Sequence, residues 1–160
     1  MSDEAIKQAE AFLGIELPKD VEASYRIHNG QSAEGYGLID AWEFLSLERV
    51  MDEWKVWKEL LDGGDFDDSS SKPDGPIQTD WWNPKWIPLS YNGSGDHHCL
   101  DLDPAPGGQV GQIITVWHDW EHREVIASNF RDWLEQFADD LESGKYRVSE
   151  EYCGLVKLDE

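Results

Sequence analysis

Residues 86–119, WIPLSYNGSGDHHCLDLDPAPGGQVGQIITVWHD, leave the chain little choice of local structure. Apolar, strand-favouring runs at Trp86–Ser90, His98–Leu102 and Gln112–His118 are interrupted by two blocks of turn residues. Asn92-Gly93-Ser94-Gly95-Asp96 can supply the positive φ angles of a hairpin, because glycine has no Cβ to clash. In Asp103-Pro104-Ala105-Pro106-Gly107-Gly108 the prolines fix φ and remove ladder donors. The segment reads as an antiparallel meander whose loops are crowded with Asp and His. Such loops either do chemistry or hold a partner.

Helical periodicity surrounds this meander. Ser2 caps a first helix with Asp3 and Glu4 in its opening turn; its apolar stripe is Ile6, Ala9, Phe12 and Leu13, and Gly14 stops it. Pro18 opens a second helix carrying Val21 and Tyr25, with Asn29-Gly30 suited to a left-handed C-cap. Gly37–Ile39 and Trp42–Leu45 are expected strands. Ser46 caps a third helix with Val50, Trp54, Trp57 and Leu61 on one face, ending at Asp62-Gly63-Gly64. The polar run at about 62–80 has no periodicity and reads as a surface loop inside the domain. Beyond the meander, Arg123–Ala127 is a further strand, and Ser128 caps a helix with Phe130, Trp133, Leu134, Phe137 and Leu141 one above another. The tail after Gly144 has enough apolar residues to pack on the body but no clear element.

Helices, strands, helix, strands and helix, joined by hairpin-length loops, predict one α+β domain over residues 1–160 around a largely antiparallel sheet. No strand runs directly into a glycine-rich helix start, which disfavours a nucleotide-binding α/β fold. A chain of 160 residues is long enough to bury roughly 68–70% of its unfolded surface. No apolar run approaches the ~20 residues of a membrane span, and Met-Ser-Asp-Glu is unlike a signal peptide. Cys99 and Cys153 are too few for a disulfide framework, so a cytoplasmic protein with reduced thiols is expected, a single bridge staying open.

Charge narrows the partners. Thirteen basic residues against 34 acidic ones give a net charge of −21. Such a surface repels phosphate backbones and anionic lipid, so neither nucleic acid nor membrane is expected as a partner. It attracts a basic protein, and it also serves plain solubility.

Candidate chemistry is abundant in type and poor in spacing. Asp96, His97, His98, Cys99, Asp101, Asp103, His118, Asp119 and His122 are all metal-ligand types. Zinc needs three or four of them converging, and neighbours in a strand, such as His97 and His98, point to opposite faces. Histidines held by nearby carboxylates explain the cluster better. Asp101-x-Asp103 begins like a calcium loop, but Ala105, Pro106 and Gln112 stand where a ligand, the turn glycine and the closing Glu belong. Read instead as a metal-and-sugar-nucleotide pair, it lacks the required sheet. Gly93-Ser94-Gly95 is not a nucleophile elbow. No enzyme, cofactor or metal is expected.

Tryptophan remains. Nine in 160 residues is a high count, and Trp and Tyr are the usual anchors of protein interfaces. Trp54, Trp57 and Trp133 lie on helix stripes and read as core; Trp42 and Trp117 fit either core or surface. Trp81 and Trp82, beside Asn-Pro in a turn, are candidates for exposure.

Leu13-Gly14-Ile15-Glu16-Leu17-Pro18, followed by Tyr25 and His28-Asn29-Gly30, resembles the N-terminal signature of the SUKH superfamily, which includes fungal cell-wall synthesis regulators of the Smi/Knr type. Trp86-Ile87-Pro88-Leu89, Gly93 to Asp96, Cys99-Leu100-Asp101-Leu102-Asp103-Pro104 and Gly111-Gln112-Ile113 look like its central motif, and Phe130 through Leu141 its closing helix. The resemblance implies an α+β fold with a mixed, mostly antiparallel sheet flanked by helices, and no established catalysis. Bacterial members are understood as immunity proteins that neutralise polymorphic toxins, many of them nucleases or deaminases. Fungal members usually carry long disordered flanks; the absence of such flanks here points to the bacterial, single-domain type. The leading expectation is therefore an immunity protein, a monomer or weak homodimer, that covers the basic cleft of a toxin. Asp96, Asp101, Asp103 and Asp119 would supply charge, and Trp81, Trp82 and Tyr91 apolar contact. The alternatives are a regulatory or scaffolding protein of cell-wall synthesis, or an enzyme with an unrecognised carboxylate site.

Overall fold

A computed structural model describes residues 2–32, 37–39, 41–152 and 154–158. Four helices are present among them: α1 (Asp3–Leu13), α2 (Lys19–Ile27), α3 (Leu47–Asp62) and α4 (Phe130–Glu142). Strands β2 (Lys72–Asp74), β3 (Trp86–Pro88), β5 (His97–Asp101), β6 (Gln112–Val116) and β7 (His122–Ala127) form a sheet in the order β2-β7-β6-β5-β3. β1 (Glu43–Phe44) pairs with β4 (Ser90–Tyr91), and β8 (Tyr146–Ser149) with β9 (Gly154–Lys157). All pairings are antiparallel except β2 with β7. The architecture is the expected α+β domain with a mixed, mostly antiparallel sheet flanked by helices.

Strand alternation assigns the two layers. His97 faces α3, where its ring meets Trp57 at 6.0 Å, while His98 faces α4, 5.5 Å from Trp133. α1 packs on α3 through Phe12 and Trp54, and α2 packs on α4. Tyr25, Phe44, Phe130 and Trp133 fill the α4 side with ring-to-ring contacts of 6.0–6.4 Å. β3, β5 and β6 are enclosed at every residue.

Local signals fared well where a side chain meets its own backbone. The Ser2 hydroxyl accepts from the Ala5 amide and that of Ser46 from the Arg49 amide, both at 3.2 Å. Gly14 adopts φ +70 as the C-cap of α1. Five expectations change, the first being the tail after Gly144, which forms the β8–β9 hairpin. α4 is capped by Asn129, whose Oδ1 accepts from the Asp132 amide at 2.8 Å, so the cap falls one residue after Ser128. α2 ends at Ile27 with extended His28; Gly30 (φ +65) is needed instead because a Cβ there would lie 2.4 Å from the Leu45 carbonyl carbon. The run at 62–80 is not wholly loop: Ser71 and Lys72 donate to Thr79 and Glu121, and β2 joins the sheet edge. The expected strands at 37–39 and 42–45 reduce to β1 and the single bridges Ile39 to Trp42 and Gly37 to Gly154.

Candidate functional site

A groove of about 440 Å³ opens where the sheet meets α4 and the β8–β9 hairpin. Trp42, Trp117, Trp133, Phe137 and Tyr146 form its apolar walls; His98, Thr115, Gln136, Asp140 and Lys157 are its polar groups. Trp42 also bounds a second hollow of about 380 Å³ with Ala41, Asn92 and Tyr152. Ala41 at this junction has φ +67, the only described non-glycine residue in the left-handed region. That conformation costs a residue with a Cβ on the order of 1–2 kcal/mol.

The histidines behind the groove are structural. The Ser90 hydroxyl shares a hydrogen bond with His98 Nδ1 at 2.7 Å while accepting from the His98 amide at 2.8 Å, and the ring stacks on Trp42 at 4.4 Å. On the opposite face His97 Nδ1 donates to the Ser90 carbonyl at 2.7 Å, and its Nε2 accepts from the Trp57 indole at 3.0 Å. Burial lowers the pKa of His97 to about 4 and that of His98 to about 3, so both are neutral near pH 7. The Ser–His pair sits inside the sheet: Ser90 is fully buried.

The predicted contact residues separate. Trp82 is 2% exposed, stacked on Trp57 at 6.0 Å and edge-on to Trp54, and Asp101 is fully buried. Both burials have the same kind of cause: α3 closes over one, and the 102–111 loop folds back on the other. Asp101 accepts from Gln112 Nε2 at 2.8 Å and the Asp103 amide at 2.9 Å, and burial raises its pKa. Asp103 accepts from Asn83 at 3.0 Å. Trp81 is half-buried under the Arg123 guanidinium, 5.0 Å from its ring centre. Tyr91 is half-buried and stacks on His97 at 5.2 Å. Asp96 and Asp119 stand at the end of β5 and β6 opposite Asp101 and Asp103, roughly 16 Å away for five strand residues.

Asp96, His118 and Asp119 do gather, with ligand-type atoms within 4.8 Å of one another. Asp96 Oδ1 is already committed to His118, accepting from its amide at 2.9 Å and pairing with Nδ1 at 2.7 Å, and Oδ2 accepts from Asn92 at 2.7 Å. Burial pushes the Asp96 carboxyl up, but these bonds outweigh it and leave the pKa below the usual carboxylate value. Asp96 thus orients the imidazole. His118 Nε2 and Asp119 are then the outward ligand atoms, short of the three or four a zinc site uses. The other ligand-type residues stay apart; Cys99 is a buried free thiol, and Cys153 lies outside the described residues.

Two features went unassigned by sequence reasoning. Arg123, fully buried, donates to the carbonyls of Trp120, His122 and Trp81 and so ties the β6–β7 turn to the 81–82 segment. Trp120 is 54% exposed and 6.2 Å from Trp117. The signal was available in Trp117-His118-Asp119-Trp120, where a strand end and its turn each carry an indole.

The SMI1 / KNR4 family (SUKH-1) profile matches residues 1–136. The chain belongs to that family. It is 31% identical over 160 residues to the Schizosaccharomyces pombe "Cell wall biosynthesis/cell cycle regulator smi1", covering 91% of this chain and 32% of that protein. Identity to the Saccharomyces cerevisiae "Cell wall assembly regulator SMI1" is 31% over 177 residues, 88% of this chain and 35% of the relative. A Neurospora crassa "Glucan synthesis regulatory protein" is 28% identical over 182 residues, 91% of this chain and 34% of the relative. The SUKH-1 chain thus spans about a third of the length of these relatives, which are named as regulators and not as enzymes. No described helix is long and apolar enough to cross a membrane.

Proposed function

We propose that this SUKH-1 chain is a non-enzymatic docking domain in the regulation of cell-wall synthesis, recognising a protein partner without altering a covalent bond. The observation that carries the reading is the match of 91% of the chain to a relative named as a cell wall biosynthesis regulator. The side chains give it support. Several groups of catalytic type are spent on the fold: Ser90, His97 and His98 on one another and on Trp57, and Asp101 on its loop. Large aromatic rings line the accessible groove instead. A cytoplasmic setting fits the free, buried Cys99 thiol. Toxin neutralisation would draw on the same docking chemistry, but the regulator names favour the cell-wall reading.

The test replaces the matching segment of the Saccharomyces relative with this chain and scores growth under cell-wall stress together with glucan content. Restored resistance is the expected result. Sensitivity equal to that of the deletion, with the hybrid expressed and folded, overturns the reading. Rescue of cells from a co-expressed nuclease or deaminase toxin would replace it with the immunity reading, and turnover of a substrate by the purified chain would end both.

A further inference from the structure

Trp42 and Trp117 line the groove, and Trp120 stands beside Trp117. Trp120 lies 6.2 Å from Trp117 with their planes at 50°; Trp117 meets Trp42 at 5.6 Å and 86°. Trp54 and Trp57 donate their indole N–H to Pro84 and His97, whereas those of Trp42, Trp117 and Trp120 have no acceptor among the described residues. Carboxylates flank the line. The Glu124 amide donates to Thr115 Oγ1, and strand alternation puts the Glu124 side chain on the groove face with Thr115 and Trp117. Asp119 stands in the turn between Trp117 and Trp120. Their side chains are 55% and 73% exposed, and their basic partners among the described residues are His122 at 3.7 Å and His118 at 3.9 Å. The lysines nearby are occupied: Lys72 by Glu121, and Lys145 and Lys157, at the α4 end of the groove, by Asp140.

We propose that this strip docks a lysine- or arginine-bearing peptide segment of a partner protein. Cationic side chains lie against the indole faces between Asp119 and Glu124, and the indole N–H groups donate to backbone carbonyls of the peptide. A cation over an indole is attracted by the ring quadrupole, and a nearby carboxylate adds to the pull. The net charge of −21 steers such a segment inward and keeps polyphosphates away. A neutral polysaccharide fits less well: pyranoses stack on open, flat ring faces, while these indoles form corners, and the exposed carboxylates offer an uncharged sugar no charge attraction. The inference names the chemistry of the partner and rests on the docking reading above.

The test follows the nine indole N–H signals of the ¹⁵N-labelled chain during titration with a short alternating Arg-Ser peptide. A Glu-Ser peptide and a β-linked glucose oligosaccharide form the other arms. The expected result is movement of the Trp42, Trp117 and Trp120 signals with the Arg-Ser peptide alone. Trp120→Ala, exposed enough to leave the fold intact by its unfolding midpoint, should weaken binding about 2–5-fold. Asp119→Asn with Glu124→Gln should weaken it by a similar factor. Neutralising Asp65, Asp67 and Asp68, in the loop whose Phe66 packs on Trp57 at the α3 face, should leave it nearly unchanged. An equal loss in that control, strip signals that move with the oligosaccharide, or no movement at all overturns the inference. Any of these alongside a functional hybrid in the cell-wall test overturns it alone; failure of both brings down the docking reading beneath it.

Discussion

Acidification should unfold this protein through its buried histidines, and His97 allows the effect to be worked out. Its folded pKa is about 4 against an ordinary 6.5; burial is the chief cause, assisted by Arg49 and His118 and opposed by the Ser90 carbonyl and Asp96. A second proton would also set an Nε2–H against the Trp57 indole N–H, which donates to that atom at 3.0 Å. Between about pH 6.5 and pH 4 the unfolded state therefore binds more protons than the folded state, and stability falls as pH falls through that window. From about pH 7 to pH 5 the loss from His97 alone is about 2 kcal/mol, a large part of the 5–15 kcal/mol typical of a domain. His98 shifts in the same direction, to about 3. Urea unfolding followed by tryptophan fluorescence across this range measures the dependence. His97→Gln starts from lower stability, having lost fitted partners, but its difference between pH 7 and pH 5 should be about 2 kcal/mol smaller than that of the unsubstituted chain. Parallel pH profiles for the two would refute the reasoning.

Other perturbations separate buried from exposed groups. Arg123→Met leaves the carbonyls of Trp120, His122 and Trp81 without their donor, and should cost about 3 kcal/mol or more in chemical denaturation, with Arg123→Lys recovering only part. Trp82→Ala should cost about 3–5 kcal/mol because it opens a cavity beneath Trp54 and Trp57, whereas Trp120→Ala should stay within about 0.5 kcal/mol. Equal midpoints for those two variants would contradict the burial assigned to them. Ala41→Gly relieves the positive φ and should raise stability by up to about 1 kcal/mol; a lower midpoint would show that the Ala41 methyl is needed against Gly154.

What the sequence determined by itself is whatever a few neighbouring residues decide. The stripe from Phe130 to Phe137, the caps at Ser2 and Ser46, the turn glycines of the meander and the opposite facing of His97 and His98 are properties of backbone φ and of side-chain period. Even there, Ser128 and Asn129 are adjacent residues of cap-forming type, and only the packed helix start selects Asn129. The parallel pairing of β2 with β7 needed the long return of the chain. Exposure was likewise decided by distant segments. Trp82 and Asp101 have the composition of contact residues, yet α3 encloses the first and Gln112 with its own loop secures the second. Trp117 and Trp120 share the β6–β7 turn, and Trp42 joins them only when the segment before β1 meets that turn beside the sheet. An indole is equally suited to core and surface; which it becomes depends on what the rest of the chain lays over it.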